Sequence, residues 1–480
     1  MALDTIPKQE GGKLKAVASG TLPSGQPVVV NADGTVSVIE GQSQAVGSPV
    51  VFEAANSDFI AATFDTNSNK VVFAYRDEGN SNYGTAIVGT VSGTSISFGT
   101  PVVFESQSTD EMRTAAFDSS SNKVVLAYRT GNPVYGSAVV GTVSGTSISF
   151  GTPVSFSSSN CTSNSITFDS TNNSVVISYR DIDNSLYGTA VVGTVSGTSI
   201  SFGSPTVFES ANIDEITSTF DSSSGKAVIA YRDRGNSDNG TAIVGTVSGT
   251  SISFGTAVVF ESASSTWFAA TFDSNSNRVV IAYRDVGNSG YGTAVVGTVS
   301  GTSISFGTPV VFENASSSDI SATYDTGTQS VIIAYRDNDN SGYGTAIVGD
   351  VNNTSISFSP SVVFESAEIF KSAITFDTVE NKAVIAYKDN GNSNYGTSVV
   401  LQAGSTTLTS DNYIGTAATG APDGQGAKIN IKGAVDENQS GLTAGQSYYV
   451  QTDGTLGTTP ADPSVFAGTA VAATKLIVKG

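Results

Sequence analysis

The chain has 480 residues, of which only 13% are charged, and its formal net charge is −20. The flanks contribute −1 (residues 1–42) and −2 (residues 406–480), so about −17 falls on residues 43–405, and a body this acidic argues against nucleic acid as a partner, because phosphate binding needs Lys and Arg. The absence of histidine and a single cysteine, Cys161, exclude an internal disulfide, a thiolate–imidazole metal site and a histidine-based nucleophilic triad.

Residues 1–42 read as an N-terminal arm in which Lys8, Lys13 and Lys15 cluster. Its first residues, MALDTIPKQEGGKLKAV, hold no apolar core of signal-peptide length, and no run in the chain reaches membrane-spanning length. The expectation is therefore a protein made in the cytosol, without membrane insertion or export by the usual signal. The segment GQPVVVNADGTVSVIE reads as a hairpin turning at residues 32–34.

From about Gln44 a repeat takes over. The Phe of VVFE and its variants recurs at Phe52, Phe104, Phe156, Phe208, Phe260, Phe312 and Phe364, a step of 52 residues. An aromatic followed by Asp recurs at Phe64, Phe117, Phe168, Phe220, Phe272, Tyr324 and Phe376, and a Tyr eleven residues beyond each, from Tyr75 to Tyr387. Seven copies in register define a repeat protein. In the first copy four apolar runs alternate with turns: residues 60–65 (IAATFD), 71–76 (VVFAYR), 85–91 (TAIVGTV) and 95–105 (SISFGTPVVFE). Val, Ile, Tyr, Phe and Thr bounded by Gly, Asn, Ser and Asp is strand and hairpin chemistry, and no stretch has a helical period. The second and third runs are apolar on both alternating faces, so both faces of the sheet are expected to be covered. Four antiparallel strands per repeat, covered on both sides, predict the blade of an all-β, seven-bladed β-propeller over residues 43–405. The seventh copy lacks a fourth run, while a fourth run stands alone at residues 44–53, before the first copy. The spacing thus predicts that the N-terminal strand closes the last blade, pairing near residues 395–401, since an unpaired edge is an aggregation liability. Residues 406–480 carry no repeat motif and read as a small β-rich C-terminal domain; GQSYYVQTDGTL there echoes GQPVVVNADGTV of the arm, so the two flanks are expected to pack together.

Two features recur in the repeats. The turn RDxGNSxYG, from Arg76–Asp77 to Lys388–Asp389, gathers oxygens such as Asp181, Asp183 and Asn184 that suit Ca²⁺, but Asp, Asn and Gly also favour such a turn for backbone reasons, and a calcium loop needs more fixed carboxylates. No other cofactor is suggested. The Asp after each aromatic, from Asp65 to Asp377, is expected to cap turn amides rather than to catalyse, because seven identical copies build a scaffold and catalysis needs one distinctive constellation. No Gly-rich phosphate loop is present, and a paired-carboxylate glycosidase is the one enzyme class left open.

The copies differ most at the junction between the fourth run and the next first run. Five residues before each aromatic–Asp pair stand Phe59, Met112, Ser163, Glu215, Trp267, Asp319 and Lys371; the following position adds Arg113 and Phe268 among others. Drift in a tolerant loop explains diversity, yet Trp, Phe and Met together are recognition residues. The candidate binding face is therefore Phe59, Met112, Arg113, Glu215, Trp267, Phe268, Asp319 and Lys371, expected on a loop at one end of the innermost strands.

The pattern SGLTAGQSYYVQTDGTLGTTP…VFAGTAVAATKLIVKG resembles a terminal domain of structural proteins of tailed bacteriophages, especially marine ones, and the repeat AYRDxGNSxYGTAVVGTVSGTSISFGTP is similar to that of phage tail-fibre-like proteins. The resemblance implies a virion protein, assembled in the host cytoplasm in multiple copies. Its terminal regions would contact other virion proteins, and its propeller would recognise a host-surface glycan or protein. A capsid-decorating or tail protein with virion contacts alone, and a glycan depolymerase, are the alternatives. No catalytic residue is carried over by the resemblance, and the expectation is a protein that is not an enzyme.

Overall fold

The computed structural model describes residues 12–480 apart from 32, 40, 43, 113, 132, 133, 407, 409, 410, 462 and 480. Its regular structure is antiparallel strands with four single-turn 3-10 helices, and no α-helix occurs among the described residues. The chain divides into two compact units. One is Val46–Gln402; the other is built from both chain ends, up to Ala45 and from Ala403.

In the first copy of the repeat the strands are Val50–Asp65, Lys70–Asp77, Tyr83–Ser92 and Ser95–Phe98. Val50–Asp65 is far longer than the predicted first run. Its second half pairs with Lys70–Asp77, from Ala61↔Ala74 to Asp65↔Lys70, and its first half pairs with Tyr395–Gln402 of the seventh copy (Thr397↔Val51, Ser398↔Val50). The same pattern links the others: Val310–Asp325, for example, pairs backward with Tyr291–Ser300 and forward with Ser330–Asp337. The predicted fourth run is thus two elements. Ser95–Phe98 pairs with the far half of Tyr83–Ser92, whereas residues after Pro101 pair with its near half and run on into the next copy (Val102↔Ala86). The FGTP break separates them because Pro cannot continue the ladder. The junction expected to be a loop is, in five of the seven copies, the interior of a single 16-residue strand.

Neighbouring copies pack face to face. Val71, Val72, Phe73, Ala74 and Tyr75 are all fully buried, which explains why the second run is apolar on both faces. One core cluster joins Phe52, Val71 and Phe73 of the first copy to Ala373, Val384 and Val400 of the seventh; others join the second to the third and the fifth to the sixth. Each fully buried aliphatic side chain contributes on the order of 1.5–3 kcal/mol, so these interfaces dominate stability. The VVFE Phe explains a repeated glycine: a Cβ at Gly292 would lie 2.4 Å from the Phe312 ring, so only glycine lets that ring cover the strand. The repeated Tyr is buried with its hydroxyl satisfied by the repeated Glu, as in Tyr335 Oη–H to Glu313 Oε2 at 2.8 Å and Tyr387 to Glu365 at 2.8 Å.

The Asp after each aromatic caps its turn in every copy. Asp65 Oδ1 accepts the amides of Asn67 and Ser68 at 2.9 and 3.1 Å, and Asp377 does the same for Val379 and Glu380. In the RDxGN turn Asp77 Oδ1 accepts from Asn80 N–H at 3.0 Å, and Asp285, Asp337 and Asp389 repeat the bond. The oxygens weighed above for Ca²⁺ are engaged likewise: Asp181 accepts from Asn184 N–H at 3.2 Å and Asp183 from Asn160 N–H at 3.0 Å. Among the described residues no group of three or more acidic, His or Cys side chains is arranged to hold a metal.

In the terminal unit the two chain ends share one sheet, in the order Lys13–Val17, Gly426–Asn430, Tyr413–Ala417, Pro27–Val30, Val36–Val38. A second sheet comes from residues after Ala434, with Val465–Ala472 at its centre. The two echoing sequences are the same hairpin. Asp33 holds Thr35 through N–H (2.9 Å) and Oγ1 (2.6 Å), and Asp453 holds Thr455 through the same atoms at the same distances.

Candidate functional site

Where Val50–Asp65 changes partners the register skips from Asp58↔Arg76 to Ala61↔Ala74, so two residues stand opposite one and the strand bulges. The first has a left-handed backbone in every copy: Phe59 (φ 48°), Glu111 (53°), Ser163 (54°), Glu215 (48°), Trp267 (57°), Asp319 (48°) and Lys371 (54°). Such a conformation in a non-glycine residue costs on the order of 1–3 kcal/mol and persists only where its surroundings impose it. Five of these seven residues, Phe59, Glu215, Trp267, Asp319 and Lys371, line one cavity of about 260 Å³, to which the second and third copies add strand residues such as Met112 and Ile166.

Two assignments from the sequence are corrected. The equivalent residue in the second copy is Glu111, not Met112, because 13 residues separate Phe104 from Phe117 where 12 separate Phe52 from Phe64. Counting back from the aromatic misplaced the register by one; counting forward from the VVFE Phe finds Glu111. Met112 is instead a core residue with 0% exposure, and Phe268 is buried too (9%), edge-on to Phe260 with ring centroids 6.0 Å apart. Both follow the bulge and are buried, and both still line the cavity together with Phe59, Glu215, Trp267, Asp319 and Lys371. Arg113 lies outside the described residues.

With Glu111 in place the ring is not random. Acids stand in the second, fourth and sixth copies, and each accepts the bulge amide of the next copy. Glu111 Oε2 takes Ser163 N–H at 2.9 Å, Glu215 takes Trp267 N–H, and Asp319 Oδ1 takes Lys371 N–H at 2.9 Å. The bulge frees an amide from the ladder, and a carboxylate on alternate copies satisfies it, which pins adjacent strands across the interface. Glu215 and Asp319, named above as recognition residues, hold the scaffold through these bonds and also line the cavity. Burial pushes the Asp319 carboxyl up, against the opposing pull of the Lys371 amide and the Lys371 and Arg336 charges.

Phe59, Trp267 and Lys371 remain as one cluster. The Lys371 ammonium lies 5.5 Å from the Phe59 ring centre and 5.8 Å from that of Trp267, and the Arg76 guanidinium covers the Phe59 ring at 4.8 Å. Trp267 is half-buried and packs partly on the core between the fifth and sixth copies, so it is a rigid aromatic wall rather than a loop side chain. The cavity mouth therefore combines two aromatic faces, one ammonium and bulge carboxylates already engaged by amides. That set suits cation–π contact, stacking on an apolar ring face and hydrogen bonding to hydroxyls.

The pH dependence of stability follows from the carboxyls. Burial is the leading cause that raises Glu53, Glu313, Glu365, Asp77, Asp233, Asp285, Asp337 and Asp389, as well as Asp319, above their ordinary values of 4.5 (Glu) and 3.8 (Asp). Asp214 goes the other way: burial pushes it up, but bonds from Arg234 and Ser163 and the Arg180 charge outweigh this and lower it. A group raised by folding binds its proton more tightly in the folded state. Its stabilisation is complete below the ordinary value and is lost as pH rises through the folded value. The melting temperature is thus expected to rise as pH is lowered from neutral toward the ordinary carboxyl range, with relief of the −20 net charge acting in the same direction. A thermal scan against pH showing a steady fall over this range would contradict this reading of the buried carboxyls.

No family model matches the sequence, and no curated protein does. Among solved structures the chain is similar to the BP39L lectin from Burkholderia pseudomallei (TM-score 0.52, 11% identity, covering 74% of this chain and 98% of the lectin). It is also similar to the β-propeller domain of Cps50 (Swd1) from Myceliophteria thermophila (TM-score 0.50, 8% identity, 75% and 100%). A leech intramolecular trans-sialidase matches more distantly (TM-score 0.45, 9% identity, 74% and 69%). At these identities the likeness concerns the fold alone, and the repeat body has a β-propeller fold.

Proposed function

We propose that this chain is a structural protein of a tailed-phage virion, and that its propeller binds a host-surface ligand at the bulge end of the central cavity. The virion assignment is supported by the resemblance of the C-terminal sequence and of the repeat to phage structural proteins. The propeller is proposed to have seven blades in a closed ring. Seven 52-residue registers support this count, as does the pairing of Val50–Asp65 with Tyr395–Gln402, which supplies the seventh copy with the strand it lacks.

The observation that carries the binding reading is the convergence of Phe59, Trp267 and Lys371 at the cavity mouth, on strained backbone that recurs in every copy. The lectin with the same fold fits a glycan as the ligand, and the acidity of the body favours a neutral glycan over a polyanion. The chain is proposed to be a binder and not an enzyme, because each bulge carboxylate already accepts an amide of the next copy. The terminal unit is proposed to face other virion proteins. Immunogold labelling of virions with antibodies to the propeller and to residues 406–480 tests the placement: propeller label on an outward appendage is expected. Label only where particle proteins cover the propeller would replace this reading with a decorating or purely structural role. Release of reducing ends from host polysaccharide by the purified chain would contradict the non-enzymatic assignment.

A further inference from the structure

A basic residue recurs at the start of the RDxGN turn, and the acid near it comes from one of several places. Arg76 has Asp58 at 3.1 Å, the residue opposite it across the strand pair, and Arg129 has Asp110 from the same position at 2.6 and 2.7 Å. Arg180 bonds Asn212 at 3.0 Å, with Asp214 at 4.0 Å. Arg232 Nε lies 3.0 Å from Asp238 Oδ1, in its own turn, and Arg336 is paired with Glu368 of the following copy.

Arg284 breaks the series. The residue opposite it is Thr266, the place of Asp238 is taken by Gly290, and the place of Glu368 by Ser316. Among the described residues Arg284 has no ion pair, and this sets it apart; its Nε is shielded from solvent without a hydrogen-bond partner, as are those of Arg76, Arg180, Arg232 and Arg336, and Thr266 Oγ1 beside it has none either. Asp339, the acid of the next turn, accepts Ser316 N–H at 3.3 Å and does not pair with Arg284. The glycine bares one edge of the guanidinium: a Cβ at Gly290 would stand 2.8 Å from Nε, 3.0 Å from Nη2 and 3.2 Å from Ser316 Oγ. Gly290 has φ 78° and Asp238 has φ 63°, so the two turns present this position in the same backbone conformation.

The geometry points to a carboxylate-binding notch at Arg284, in which a ligand carboxylate takes the role that Asp238 plays for Arg232 one copy earlier. The Nε and Nη2 donors form the side-on fork that suits the two oxygens of a carboxylate, and Ser316 Oγ and Thr266 Oγ1 add hydroxyls beside it. The ligand class is a single carboxylate, as on a uronic-acid sugar; the −17 charge of the body disfavours a polyanion. Arg284, Gly290, Ser316 and Thr266 are not among the residues lining the cavity, although Thr266 directly precedes Trp267, and the notch does not depend on the virion assignment.

The test is titration of the full chain with glucuronate, acetate and inorganic phosphate, followed by calorimetry or NMR. One saturable glucuronate site is expected. Arg284→Gln should weaken it at least about tenfold, the loss typical of a charge-assisted bond. Gly290→Asp should do the same by supplying the chain's own carboxylate. Acetate binding as tightly as glucuronate would assign the notch to the bare carboxylate; tighter glucuronate binding would assign it to the acidic sugar. Absence of saturable carboxylate binding, unchanged binding in Gly290→Asp, or phosphate binding as tight as carboxylate would each overturn the assignment.

Discussion

Removal of residues 1–53 is expected to abolish the cooperative melting of the repeat body. Those residues supply the strand start that pairs with Tyr395–Gln402, through Gly396↔Glu53, Thr397↔Val51 and Ser398↔Val50. They also supply Phe52, which is buried (6%) against Phe73 and Tyr75, with ring centroids 5.2 Å away in each case. Without them the third strand of the seventh copy has an open edge, and the cluster shared by the first and seventh copies loses a wall. The truncation also removes strands of the terminal unit, so a single substitution isolates the repeat body. Phe52→Ala should destabilise it by about 3–5 kcal/mol, the cost of an aromatic cavity in a close-packed core. Differential scanning calorimetry of both variants is the check. Unchanged transitions would show that the first and seventh copies do not depend on each other.

Much of this was legible in the sequence, for reasons that can be named. The 52-residue step of the VVFE Phe gave the repeat, because a ring over a glycine is the same packing problem in every copy. The Asp after each aromatic was readable as a turn cap because Asp65 and its equivalents stand two and three residues before the amides they accept. The flanking hairpins were visible as an echo because Asp33–Thr35 and Asp453–Thr455 make identical bonds. The strand that crosses from one copy to the next was not legible. Ser, Thr, Asn and Asp around the bulge look like a loop in composition, while the backbone there is held by ladder pairs on either side of one extra residue. The ring itself was half read. Trp267, Phe59 and Lys371 stood out by side-chain type, but the alternation of acids was hidden by a one-residue insertion between Phe104 and Phe117. Apolar side chain alone could not separate Trp267 from Met112 and Phe268, since adjacent residues in a strand face opposite sides.

The central claim is that the bulge end of the cavity is the binding face, and Trp267→Ala tests it most directly. Trp267 is half-buried, holds its bulge through Glu215, and gives one of the two ring faces turned to Lys371. The backbone bond to Glu215 survives the substitution, so melting should shift modestly while the aromatic face is lost. If that face meets a ligand, binding of the purified chain to the cell envelope of the proposed host should weaken by about 2 kcal/mol, roughly thirtyfold. Thr302→Ala, in the exposed turn between Tyr291–Ser300 and Ser303–Phe306, is the control and should bind as the unmodified chain does. Equal binding by Trp267→Ala and Thr302→Ala would contradict the account.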